Sequence, residues 1–514
     1  MCGAPAAACS QASVRCGWFC DHSRAPFAAS ALWLLAVVAS AFSARADTLV
    51  FRTGDRLRGT IVAEQPTSIL FDSEALGRIE VSRERIETVE RDATPAAASE
   101  TKPVPVNAGT NRLAKSRDFL RFYTDHGIRY EYVQPVRVAN PLGERTNVFS
   151  ESISVRGRLG FRGAFDAADY ISSKGQRDVE ADAEVRTLRF YTTGEFGLFR
   201  TNQFKVDLGL SGGEFYLHDA NLRWPQLPYV GNLTLGYFAV PQTIENIVPF
   251  GASAFMEVAS PGQAFSPGNR VGVQIDRTLL HERMTASLGV FSVGQKASLN
   301  FGDASDSLAR PTLRVTGLLL DQPEQQRLLH LGGSASFVFS DSANMRYQAR
   351  PESHLAPVLV DTGPLAAQFA YVGGLEAIYQ DGPFTLQGEI NGSAVDGEEN
   401  HVFWGGYASA GWLLTGERRD YDRVAGVPGK VRPNSPLSRK QHGWGAWELA
   451  LRYSYLDLQD GSVNGGRMNV LMTGLNWYWS EHIRWMFNYG FAHVAEGPSP
   501  GNLNLFQMRL QWNY

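Results

Sequence analysis

Three arginines, Arg156, Arg158 and Arg162, alternate with Ile153, Val155, Leu159 and Phe161 in the stretch 148–163. Successive side chains of an extended strand point to opposite faces. The arginines therefore share one face with Ser154 and Gly160, and the apolar residues share the other. Arg189 stands between Leu188 and Phe190, and Lys205 precedes Val206 and Leu208 in the same way. Arg452, Arg509 and Arg270 lie in further alternating runs, and Arg418 and Arg419 in a basic segment. Cations on the water-facing side of a wall can hand an anion along, and low-dielectric surroundings strengthen their field. The competing reading for each is a charge paired with a carboxylate that stiffens the wall. Nothing comparable exists for catalysis. His126, His218, His281, His330, His354, His401, His442, His482 and His493 are scattered without metal spacing or a paired nucleophile. The glycine-rich GLSGGEF lacks the phosphate-loop pattern. No metal, cofactor or enzymatic activity is implied.

The elements that must position these cations are strands with one apolar face. Near the end of the chain Phe506, Met508, Leu510, Trp512 and Tyr514 alternate with Gln507, Arg509, Gln511 and Asn513. Trp447, Leu449, Leu451, Tyr453 and Tyr455 alternate with Glu448, Ala450, Arg452 and Ser454. About ten alternating residues with aromatics at the ends suit a tilted membrane-spanning strand, one face to lipid and one to water. The chain has 514 residues, 44% hydrophobic and 19% charged, with a net charge of -4. That balance excludes disorder and gives no footprint for nucleic acid. After Ala46 no apolar run reaches the length of a spanning helix. A membrane role then requires a closed barrel, which pairs every backbone group in lipid.

All four cysteines, Cys2, Cys9, Cys16 and Cys20, precede an apolar run over 26–42 that ends in Ala44-Arg45-Ala46. This reads as a signal peptide over 1–46. Short apolar runs punctuated by turns over 47–92 predict a small SH3-like or Sm-like β module, whose role is docking to cell wall, to a periplasmic partner or to neighbouring protomers, or else that of a passive periplasmic appendage. A proline- and alanine-rich linker follows over 93–116. Candidate strands then fall near 127–138, 148–163, 185–199, 203–224 (with a break at Gly212-Gly213), 231–239, 270–276, 283–293, 313–320, 328–340, 367–379, 383–394, 401–414, 446–458, 467–479, 482–494 and 503–514. The expectation is an all-β, antiparallel transmembrane barrel of about sixteen strands over 117–514. With a periplasmic N-terminus, the long connections 240–269, 294–312 and 341–366 fall outside and the short turns inside. One connection, 415–443, breaks that rule.

LLTGERRDY at 413–421, with GWGAWELALRYSYLDL and TGLNWYW after it, resembles the C-terminal half of the phosphate-selective porin O and P family. GYFAVPQTIENIVPFGASAFMEVASPGQAFSPGNRVGV at 236–273 resembles that family's third extracellular loop with its flanking strands. EVRTLRFYTTGEF and FYLHDANLRW resemble its early strands. The likeness covers about 117–514. It implies a sixteen-stranded outer-membrane barrel, commonly a homotrimer in lipid, whose basic lumen passes small anions such as phosphate.

This chain departs from the family where cations are usual: Ala239 before Pro241, Val258 after Met256-Glu257, and Asn269 after Pro267-Gly268. The long connection 415–443 holds Arg418, Arg419, Arg423, Lys430, Arg432, Arg439 and Lys440. Its expected role is to fold back into the lumen and replace some of that charge. A weakly selective pore for small polar solutes, an adhesive or envelope-tethering barrel and a lipid-hydrolase barrel are the alternatives, the last without a convincing catalytic set.

Overall fold

The computed structural model describes residues 47–51, 56–64, 68–73, 77–83, 86–90, 119–124, 128–135, 152–173, 179–197, 202–293, 309–339, 345–439 and 442–514. The leader, the linker over 93–116 and Lys440 lie outside them. The chain divides into two compact units, Met1–Arg112 and Leu113–Tyr514. The first is a five-stranded antiparallel sheet. Its opening strand, Asp47–Phe51, pairs with both Arg56–Glu64 and the last strand, Ile86–Glu90. Ser68–Ser73 and Gly77–Ser82 continue the sheet on the other side, with Ile69 fully buried.

The second unit is a closed antiparallel barrel with sixteen wall strands. In chain order these are β1 Ser152–Ser172, β2 Asp182–Gly197, β3 Asn202–Ser211, β4 Glu214–Leu227, β5 Gly231–Ala239, β6 Asn269–Leu279, β7 Met284–Ser292 and β8 Ala309–Gln322. They continue with β9 Arg327–Phe339, β10 Ala367–Asp381, β11 Phe384–Gly397, β12 His401–Leu413, β13 Ala446–Asp460, β14 Val463–Tyr478, β15 Ile483–Glu496 and β16 Gly501–Asn513. The expected number is right although two of its parts differ. The run 203–224 is a hairpin, β3–β4, that turns on Gly212 and Gly213 at φ 58° and 81°. The run expected over 127–138 is no wall strand; Ile128–Pro135 forms a hairpin with Phe119–Thr124. The two differences cancel, so the long connections keep their common end and the short turns the other.

The outer face follows from alternation. Trp412, Trp447, Trp477, Trp485 and Trp512 lie on wall strands where they meet the short-turn rim, with Trp447 and Trp477 stacked at 5.0 Å. Phe337, Tyr371, Trp404 and Tyr455 mark the opposite rim. Between them Val273, Leu288, Leu313, Leu331, Leu375 and Ile390 are exposed, as an apolar band of roughly 25 Å requires.

The barrel closes along β1. Its upper half pairs with β16, from Leu503↔Ser172 to Asn513↔Arg162. Its lower half overhangs and pairs with the 119–135 hairpin, from Ile128↔Leu159 to Pro135↔Ser152. An overhang without a partner would leave a row of backbone groups unpaired.

The inner face is not uniformly polar, which differs from the expectation of a wholly water-facing side. At the long-loop end of β9–β16 it is apolar: Val372, Phe403, Leu456, Met468, Val470 and Leu503 are at most 3% exposed. Phe255 and Phe265 from the connection 240–268, and Tyr347 and Leu359 from 340–366, complete one core with them. A dry core inside the barrel restricts water to the side of β1–β8.

Candidate functional site in the lumen

Among the described residues, three connections enter the barrel. The 240–268 connection lies along β13–β16 and is held there by its backbone carbonyls. Arg484 donates to Ser253 at 2.7 Å, Asn476 to Ala254 at 2.8 Å, and Arg452 to Glu257 at 2.9 Å. Arg509 and Arg419 donate to the carbonyls of Met256 and Ala252. A short irregular segment cannot satisfy these acceptors by itself, and each would be costly unpaired in a dry interior.

The second and third connections are locked by ions. Arg452 also pairs with Glu245 at 2.9 Å and Glu352 at 2.5 Å, where Glu352 belongs to the 340–366 connection. Arg509 pairs with Asp166 at 2.6 Å and Glu257 at 2.7 Å. The 414–445 connection enters from the short-turn end. Arg314 on β8 pairs with Glu376 at 2.7 Å and donates to the carbonyls of Ala425 and Gly426 at 2.8 Å. His330 bridges Glu376 and the Tyr421 hydroxyl. Val427, fully buried, meets Ile244 and Ile378, so the connections from the two ends touch inside the barrel. The inward fold expected for 415–443 holds for its middle part, around 419–431, whereas Arg432 and Arg439 stay exposed at the rim. The Glu245 carboxyl is buried, which pushes it up to about 7 despite Arg452. Burial would also raise Glu257, but Arg186 and Arg509 outweigh it and hold that carboxyl at about 2.

The cations read from the sequence therefore divide. Arg452 and Arg509, expected to line the pore, are 1% and 6% exposed in ion pairs. They clamp connections instead, because each faces several carbonyl and carboxylate oxygens in the dry half. Arg419 likewise pairs with Glu448 at 2.5 Å. Arg156 is at the overhang, exposed, and bonded to Glu131 at 2.7 Å. Lys205 pairs with Asp219 at 2.5 Å. Arg418 is exposed in a mouth of about 450 Å³ at the short-turn end, with Lys430 and Arg432.

The rest lie on the polar side. Arg162 and Arg189 share one carboxylate, Asp207, at 3.7 and 3.8 Å, and Arg189 sits over the Phe250 ring at 4.6 Å. The Nε atoms of Arg158, Arg162 and Arg189 are buried without a partner. Arg270 donates to the Asn269 carbonyl at 2.8 Å. Arg310, absent from the sequence reading, is 9% exposed and donates to Gln242 at 2.7 Å, with its Nε unpartnered. The expected strand 313–320 begins earlier, at Ala309, and this brings Arg310 and Thr312 onto the wall with Arg314. Among the described residues, Arg158, Arg162, Arg189, Arg270 and Arg310 have Asp207 as their one carboxylate within 4.0 Å. Lys430 comes near them from the 414–445 connection, its amine held below the ordinary value by burial and then by the Arg162 charge.

Asp207, His218 and Asp219 are close enough together to suggest a metal site. Lys205, Arg162 and Arg189 already surround the two carboxylates, so a divalent ion would meet three positive charges.

Among known proteins, one relative is an uncharacterised protein of Caulobacter vibrioides, 29% identical over 365 residues that cover 68% of this chain and 70% of that one. Solved structures that align include an anion-selective porin from Comamonas acidovorans (TM-score 0.46, 11% identity, 70% of this chain and 100% of that one). The outer membrane channel DcaP of Acinetobacter baumannii aligns at a TM-score of 0.44 and 12% identity, covering 70% of this chain and 97% of its own. The family model described as phosphate-selective porin O and P matches residues 158–514. The chain belongs to that family, and is an outer-membrane porin, a channel protein.

Proposed function

We propose that the channel passes small anions, phosphate or related oxyanions among them, along the polar side of the lumen. The observation that carries this is the imbalance there: five arginines with, among the described residues, one carboxylate, Asp207, within 4.0 Å of any of them. Charges confined between low-dielectric surfaces attract counter-ions strongly, and a buried guanidinium with an unpartnered Nε gains from an anion in transit. Lys430, carried in by the 414–445 connection, adds a further cation to that side in place of some of the charge missing at Ala239, Val258 and Asn269. In this reading the long connections face outside, the short turns and the 47–92 module face the periplasm, and the barrel works as a homotrimer.

The test is a reversal potential across a planar bilayer in a salt gradient. Anion preference is expected, and it falls when Arg162 and Arg310 are replaced together by alanine. Unchanged selectivity in a normally inserted double variant rejects the route. A weak preference in the parent protein would favour a general diffusion pore, which the paired Lys205–Asp219 and Arg223–Asp276 sites would suit.

A further inference from the structure

Two arginines of β8, Arg310 and Arg314, lie four residues apart on the same inward face, yet their partners differ in charge. Arg314 makes a forked contact with the Glu376 carboxylate, Nη2 at 2.7 Å and Nε at 3.2 Å, which cancels its charge. Arg452 and Arg509 are matched in the same way by Glu352 and Asp166. Arg310 has an amide in that place. Its Nη2 donates to Gln242 Oε1 at 2.7 Å, and its buried Nε meets no acceptor. An amide oxygen can hold a guanidinium as a carboxylate does, but it leaves the positive charge whole. A charged group close to Arg310 is another cation, Arg270.

Gln242 is itself fixed at both ends of its side chain and along its backbone. It belongs to the 240–268 connection and is fully buried. Its Oε1 also accepts from the Ser336 hydroxyl at 3.0 Å, and Thr312 Oγ1 stands 2.8 Å from that hydroxyl. Its Nε2 donates to the Phe265 carbonyl at 3.4 Å. Two donors at one end and a carbonyl at the other settle which way the amide points. The Gln242 N–H donates to the Val240 carbonyl at 2.9 Å, and the Gln242 carbonyl accepts from Ser334 Oγ at 2.6 Å. The side chain therefore ties the connection to β8 and β9, and it cannot turn without breaking several of these bonds. A cation held this firmly loses little freedom when an anion meets it.

We infer that Gln242 is a specificity-determining residue of the channel: a neutral acceptor that aims the Arg310 guanidinium and leaves its charge free to attract small oxyanions. A carboxylate at the same position would turn Arg310 into a second Arg314, a clamp without a field. The inference rests on the anion reading above and names the side chain on which the charge of this part of the lumen depends. Gln242 acts through Arg310, so it is a positioning residue and has no need to touch the ion.

Full-length protein in planar bilayers tests it, with heat-modifiable migration on gels to verify the folding of each variant. Gln242→Glu keeps the shape of the side chain and gives up only the long contact to Phe265. In a potassium chloride gradient its anion preference is expected to fall several-fold, as far as that of Arg310→Ala. Gln242→Met, similar in length and uncharged, is expected to lower the preference less. It should instead raise the inorganic phosphate concentration that half-blocks the chloride current, because Arg310 is no longer aimed. In an Arg310→Ala background Gln242→Met is expected to shift neither reading. Parental preference in Gln242→Glu, where Arg310→Ala loses it, overturns the inference. Equal effects of Glu and Met, or a Met effect that persists without Arg310, would show a packing role and overturn it too. If Gln242→Glu does not insert, the cycle of Gln242→Met and Arg310→Ala decides alone. A selective parent indifferent to Arg310→Ala overturns the inference and leaves the anion reading standing. A parent without anion preference overturns both.

Discussion

Glu245 faces Arg452 across 2.9 Å, and Glu352, Glu389 and Tyr407 are its other charged or titratable neighbours, with the Ala259 amide donating to it. Its carboxyl is raised, so the sign of its effect is set. Its contribution to holding the 240–268 connection is full below the ordinary carboxyl value and is lost as pH rises through about 7. Glu257 acts in the opposite sense, and its contribution is lost only as pH falls toward about 2. Single-channel records are therefore expected to show more fluctuation at mildly alkaline than at mildly acidic pH. Glu245→Gln, which mimics the protonated form, is expected to remove that difference. A variant as pH-sensitive as the parent would place the titration elsewhere. Arg452→Ala leaves Glu245 and Glu352 buried without their cation, a loss of about 3–5 kcal/mol for a broken buried pair. Denaturant unfolding of the barrel in micelles would register it as a lower midpoint.

Among the elements, the 414–445 connection has a double attachment, to β8–β10 through Arg314, His330 and Ile378, and to the 240–268 connection through Val427 and Arg419. Shortening it to a tight turn between Leu414 and Trp444 is expected to raise single-channel conductance and weaken anion preference, since Lys430 leaves with it. Unchanged conductance in an inserted barrel would show that ions pass elsewhere. The inward course was legible from sequence because its length conflicted with the short turns around it. The clamps were not legible. Alternation tells which face Arg452 and Arg509 occupy, yet gives no sign of which inward faces are dry. That depends on carbonyls of a connection some two hundred residues away in the chain, Arg452 to Glu257 and Arg509 to Met256. Arg310 was hidden for a simpler reason: Pro311 follows it, and a proline argues against a strand interior although it is tolerated where the missing N–H costs nothing.

At the scale of the molecule the barrel and its long and short ends could be read from period-two patterning, while the strand count came out right because two misread runs cancelled. The eccentric lumen could not, because Val372, Phe403 and Met468 look like any strand residues until two connections cover them. The seam along β1 has a consequence for assembly. β16 must find β1 across most of the chain, as the Arg509–Asp166 pair spans 343 residues. The 119–135 hairpin is close to β1 in sequence, and loop closure favours the nearer partner first. Once docked at Leu159 and below, it occupies the sites β16 would reach if it slid toward the short-turn end. The hairpin thus acts as a register stop for the last strand to close. Removing it is expected to yield barrels with mixed β1–β16 offsets. The readout is disulfide trapping: Ala167→Cys with Met508→Cys, partners in the native register, should trap fully in the intact chain and only in part without the hairpin. Complete trapping in both would mean that the clamp on Asp166 sets the register unaided.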